Sequence, residues 1–276
     1  MKKTTLTNVT TSTGFCLMLL LLAQSAKAQS PVFDYNFPAS WGGTGTTVTD
    51  QSSAGNNGFT TGTLSLDLAP PSSSGNSINT TAGGVLTSGN QLLNNSAVAA
   101  AGGFTYNVAF NWNGTDSVSF GHTEKIIDYA GTESLQLITT AGSANLQMTF
   151  ANDTGAESIP VSTTILPNTW YHVSLAFNTT GNSLDVNGDI SGVATLSVNG
   201  TPLSAGAATK GKYGDSLNRP IGIGQLGANY GYLVGFKGDI YDPNVQLGVV
   251  PEPSTMALGL MGGLGLLGMW KVRRKA

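Results

Sequence analysis

The residues that could do chemistry in this 276-residue chain are few, and their spacing argues against most kinds of catalysis. Glutamate occurs only at Glu124, Glu133, Glu157 and Glu252. Retaining glycoside hydrolysis needs two carboxyl groups about 5 Å apart. A strand supplies that spacing at i and i+2 or i+4, where side chains share a face. No two of these glutamates are so placed, and the Glu-x-Asp-x-x-Glu pattern is absent. A Ser-His-Asp triad needs a histidine base, and His122 and His172 are the only histidines. No Gly-x-Ser-x-Gly elbow surrounds any serine. Two histidines so far apart in the chain do not suggest a zinc site. The pattern predicts His172 as a hydrogen-bonded histidine at a sheet surface and His122 as a turn residue. Asp185, Asn187 and Asp189 alternate as at the start of an EF-hand or dockerin-like Ca²⁺ loop. However, Ile190 stands at the sixth position, where glycine is needed, and Leu196 at the twelfth, where a bidentate glutamate is needed. The expectation there is a polar insertion loop.

The elements that would position any site read as strands. Residues 32–37 alternate apolar and polar. Residues 104–112 put Phe104, Tyr106, Val108, Phe110 and Trp112 on one face. Further runs follow at 125–129, 134–139, 145–150, 170–178, 194–199 and 220–224, most of them bounded by Gly, Asn, Asp or Pro. Period-two runs at this spacing predict an all-β antiparallel sandwich. Asn199-Gly200 predicts a type I′ hairpin turn, which requires positive φ at both central residues. Residues 90–101 fit a short helix or a strand equally well. The composition agrees: 37 glycines, and charged residues at 10% against a usual share of about 25%.

The two ends differ from this middle. Met1-Lys2-Lys3, an apolar run at 15–23 and Ala26-Lys27-Ala28 form the three regions of a secretory signal peptide, with cleavage expected after Ala28. The apolar run is about half the ~20 residues a spanning helix needs. The only cysteine, Cys16, leaves with that leader, so the mature chain has no thiol for a disulfide or a metal. At the other end stand Pro251-Glu252-Pro253, an uncharged run to Trp270, and Lys271, Arg273, Arg274 and Lys275. The prolines keep the segment before the run extended. The run predicts a single hydrophobic helix entering a membrane, with the basic cluster on the cytoplasmic side. Between the ends, five basic residues face fourteen acidic ones, a net charge of −9. Such a region is a poor partner for nucleic acid. It suits Ca²⁺ or neutral sugars.

The tail resembles the PEP-CTERM sorting signal, with its Pro-Glu-Pro motif, hydrophobic helix and basic end in that family's order. The resemblance implies that an exosortase-type membrane protease recognises Pro251, Glu252 and Pro253. It also implies a Gram-negative-type envelope, transient membrane anchoring, and a final place on the cell surface or in an exopolysaccharide or biofilm matrix. The middle resembles concanavalin A-like sandwiches of the laminin G-like type. Phe33-Asp-Tyr-Asn-Phe37, the loop from Asp50 to Gly58, Trp170-Tyr-His-Val173, Thr195-Leu-Ser-Val-Asn-Gly200, Ile221-Gly-Ile-Gly224 and Phe236-Lys-Gly-Asp-Ile240 follow that family's order. Two features depart from it: a long connection at 181–192, and the ending Tyr241-Asp-Pro-Asn-Val245. The expected organisation is a signal peptide at 1–28, a laminin G-like sandwich (jelly roll) at 29–248 and a sorting tail at 249–276.

The second resemblance implies a Ca²⁺ site at the sandwich edge, with Asp50 and Asp239 as ligands and Asp128 as a more distant one. A turn-capping role for Asp50 and a strand-end role for Asp239 are equally open. Trp41, Trp112 and Trp170 are aromatic faces on which a sugar could stack. Alternation assigns Trp112 and Trp170 to the core and leaves Trp41, in a Gly-rich loop, as the exposed candidate for ligand binding. Three functions fit: a non-catalytic module binding polysaccharide or another matrix component, a purely structural matrix protein, and a glycan hydrolase or lyase with a degenerate motif.

Overall fold

The computed structural model describes residues 30–248 apart from 44, 69, 72, 91, 115–121, 130–132, 141–142, 153–154, 213–219 and 225–233. The expected leader, the sorting motif Pro251, Glu252 and Pro253, and the C-terminal helix lie outside the described residues. Among the described residues, no helix is long and apolar enough to cross a membrane.

The chain forms two antiparallel sheets. The first runs β14 (Thr201–Lys210), β13 (Ile190–Val198), β12 (Trp170–Thr179), β7 (Gly103–Trp112), β17 (Gly238–Leu247), β5 (Asn76–Asn79) and β4 (Ser65–Leu68), and β1 (Ser30–Asp34) pairs with the second half of β17. The second runs β11 (Gly155–Ile165), β10 (Ser143–Asn152), β9 (Glu133–Thr140), β8 (His122–Tyr129), β15 (Pro220–Ile223), β6 (Val85–Asn90), β3 (Gly58–Thr61) and β2 (Thr47–Val48). The short β16 (Val234–Gly235) pairs with β8 in parallel.

Alternation explains how the sheets meet. In β7 the expected face, from Phe104 to Trp112, is buried. In β12 the inward set is Tyr171, Val173, Leu175 and Phe177. Phe177 stacks on Phe104 of its own sheet at 5.4 Å and on Phe150 of the opposite sheet at 5.3 Å. Each fully buried ring of this kind contributes about 1.5–3 kcal/mol through area removed from water.

Several elements differ from expectation. Residues 90–101 resolve into the end of β6 and a short helix, α1 (Asn95–Ala101). Asn94 caps it by accepting from Ala97 N at 2.9 Å, and Gly102 ends it at φ 83°. The unusual ending at 241–245 lies inside β17, which is a central strand paired with β7 on one side and with β5 and β1 on the other. A bulge between Tyr241 and Asn244 absorbs Asp242-Pro243. Trp112 is buried as expected, but Trp170 is only half-buried, because Tyr171 takes the inward parity of β12. His122 opens β8 rather than a turn, its backbone opposite Thr139. Asn199 and Gly200 have φ of 50° and 76° and join β13 to β14 as the hairpin turn predicts.

Phe177→Ala removes the ring that joins both sheets. It is expected to destabilise the fold by about 3–5 kcal/mol, read as a lowered urea midpoint. A loss below about 1 kcal/mol would contradict this packing.

Candidate functional site

The outward faces of the same central strands carry the site. Register places Ser197 of β13 opposite Ser174 of β12, Ser174 opposite Asn107 of β7, and Asn107 opposite Asn244 of β17. One polar row therefore crosses four strands. The adjacent row is His172, Ala109 and Tyr241. Alanine is the small member, so the floor drops between an imidazole and a phenol. Together these residues, with Asp242, line a groove of about 520 Å³.

Local hydrogen bonds fix the walls. Asn107 Nδ2 donates to Asn244 Oδ1 at 3.0 Å. Tyr241 donates its hydroxyl proton to the Ser74 carbonyl at 2.8 Å. The His172 backbone N–H donates to Asn199 Oδ1 at 2.9 Å, which ties the histidine to the hairpin turn. His172 is exposed, as expected of a sheet-surface histidine.

The β17 bulge sets the rim. Asp242 has φ 49°, in the left-handed region. Burial, then the charge of Asp34 and a hydrogen bond with its carboxyl, push the Asp242 carboxyl up to about 6.

Asp50 holds a loop together. Its Oδ1 accepts from the backbone N–H groups of Asp34 and Ser52, each at 2.9 Å. Its Oδ2 accepts from Ser52 Oγ at 2.9 Å and Asn56 N at 2.8 Å. Burial alone would raise this carboxyl, but the bonds from Ser52, Asp34 and Asn56 outweigh it and hold it below the usual range. Asp239, in β17 opposite Asn79, accepts from Asn79 Nδ2 at 2.7 Å, and burial raises its carboxyl despite that bond. Asp128 is fully buried 3.4 Å from Lys125 Nζ. Among the described residues, no three histidine, cysteine or acidic side chains gather as a metal set.

Trp41 is half-buried rather than exposed. Its ring meets Phe37 edge-on at 5.9 Å and packs against the core, away from the groove lining. The loop at 181–192 closes on Asp185, whose Oδ1 accepts from the N–H groups of Asn187 and Asp189, each at 2.8 Å. Asn107, Ser174, Ser197, Tyr241 and Asn244 were not candidates in the sequence. Their signal was the polar parity of strands whose apolar parity was plain.

Residues 249–275 match the model of the PEP-CTERM protein-sorting motif. No curated protein matches the chain. Among solved structures, the binding domain of Paraclostridial Mosquitocidal Protein 1 is similar at 17% identity and TM-score 0.54, over 83% of this chain and 51% of that one. A tryptophan-to-alanine mutant of HCR D/C VPI 5995 is similar at 14% identity and TM-score 0.50, over 84% and 52%. The chain thus spans about half the length of these neighbours. At such identity the likeness is one of fold alone, and it agrees with the expected concanavalin A-like antiparallel β-sandwich.

Asp242 binds its proton more tightly in the folded chain than in the unfolded one. Its contribution to stability is full below the ordinary carboxylate range, near pH 4, and is lost as pH rises through about 6. Asp242→Asn, which suits the left-handed backbone, should flatten the fall in urea midpoint between pH 5 and 7. An unchanged slope would remove the Asp34–Asp242 pair from this account.

Proposed function

We propose that the sandwich is a non-catalytic module that binds a neutral polysaccharide of the extracellular matrix in the groove over β7, β12, β13 and β17. The PEP-CTERM motif marks the chain as an exported protein sorted to the cell surface. The observation that carries the binding reading is the polar row Ser197, Ser174, Asn107 and Asn244 beside the ring walls His172 and Tyr241. Sugar hydroxyls need such donors and acceptors, and pyranose faces need an aromatic side. The acidic middle of the chain disfavours an anionic polymer. The tail supports cutting by an exosortase-type protease at Pro251, Glu252 and Pro253, in a Gram-negative-type host whose exopolysaccharide is the natural ligand.

The purified protein should be retained by the host's exopolysaccharide without releasing reducing ends. His172→Ala and Tyr241→Ala should each weaken retention about tenfold, or about 1.4 kcal/mol, in chains that remain folded at the assay temperature. Variants that bind like the wild type would place the ligand elsewhere. Deleting the host's exosortase should leave a heavier, membrane-retained chain, whereas unchanged mass and location would defeat the sorting part.

A further inference from the structure

A second polar cluster lies between the sheets, on the inward side of the sheet whose outer face carries the groove. Lys210 ends β14, Asn95 opens α1 and Glu133 opens β9. Their exposures are 0%, 2% and 1%. Lys210 Nζ lies 2.6 Å from Asn95 Oδ1 and 3.8 Å from Glu133 Oε2. Nζ also lies 5.0 Å from the centroid of the buried Tyr129 ring. The Asn95 carboxamide is oriented from its other side, where Nδ2 donates to the carbonyls of Gly188 at 2.8 Å and Lys210 at 3.3 Å. Tyr106 donates its hydroxyl proton to Glu133 Oε1 at 3.2 Å. Burial, then the charge of Glu133, push the Tyr106 phenol well up, so it remains a donor.

We propose that these residues form an intramolecular isopeptide bond between Lys210 Nζ and Asn95 Cγ, with Glu133 as the proton-transfer group. A carbonyl C–O bond is about 1.23 Å long. With Nζ at 2.6 Å from Oδ1, Cγ is therefore within about 3.8 Å of the amine, near the contact distance of reacting groups. Glu133 takes one proton from the ε-ammonium and keeps it. The amine attacks Cγ, and a second proton passes by way of the same carboxyl to Nδ2. The Nζ–Cγ bond forms, the Cγ–Nδ2 bond breaks and ammonia leaves. Nothing is oxidised or reduced, and no co-reactant is needed. A buried ion pair becomes a neutral amide and a neutral acid, which removes two charges from a site closed to bulk solvent. The link joins positions 115 residues apart, in an exported chain whose only cysteine stands in the leader. It would act as a disulfide does, by constraining the unfolded chain.

The test is peptide mapping by tandem mass spectrometry of the full chain expressed in its host. The expected result is one branched peptide that joins Asn95 to Lys210 and is lighter than its two parts by one ammonia, about 17 Da. Asn95→Ala and Glu133→Gln chains should yield the parts separately and at full mass. Recovery of Asn95 and Lys210 from the wild type as separate, unmodified peptides would overturn the proposal. A link that forms unchanged in Glu133→Gln would overturn the role given to Glu133.

Discussion

The structure depends on side-chain alternation along three neighbouring strands, which β17 resumes after its bulge between Tyr241 and Asn244. In β7, β12 and β17, one parity is apolar and buried against the second sheet, and the other is polar and faces out. A shift of one residue in any of them would turn core rings into the groove and groove amides into the core. The same register that stacks Phe104 on Phe177 sets Asn107 beside Ser174. Core and groove are thus two faces of one constraint.

Buried polar groups on the outer face of the second sheet refine that plan. Lys125, its Nζ 3.4 Å from Asp128 Oδ1 and donating to Ser134 Oγ at 2.7 Å, anchors a chain of side-chain hydrogen bonds on that face. The chain continues through Gln136 to Gln147 at 2.6 Å. Burial lowers the Lys125 amine despite the Asp128 charge. Such pairs add little net stability over an apolar core, but removing one partner leaves a buried charge exposed to no compensation. The Asp50 loop works in the same way on a smaller scale. Three backbone N–H groups depend on that one carboxylate, and the cost of leaving them unmet exceeds the net gain of making them.

Legibility in the sequence followed the size of the side chains. The aromatic alternation of 104–112 and 170–178 marked two core strands, and Asn199-Gly200 marked its hairpin, because those signals are local. Strands β2 to β6 escaped notice because Ser, Thr, Gly and Asn fill them, and their partners lie far along the chain. β17 looked irregular because the Asp242-Pro243 bulge interrupts its period. The groove was hidden for a related reason. Asn107, Ser174 and Asn244 look like filler until long-range pairing sets them in one row. Asp50 was visible by its place in the opening loop, but its partners Asp34 and Asn56 were not.

The proposed binding surface therefore rests on side-chain parity in β7 and β12. Its most direct test is a nuclear magnetic resonance titration of the labelled protein with oligosaccharides cut from the host's matrix polymer. The account predicts shift changes at Asn107, His172, Ser174 and Tyr241, with Leu175 and Phe177 on the inward parity unmoved. Changes centred on Trp41, or none at saturating sugar, would contradict it.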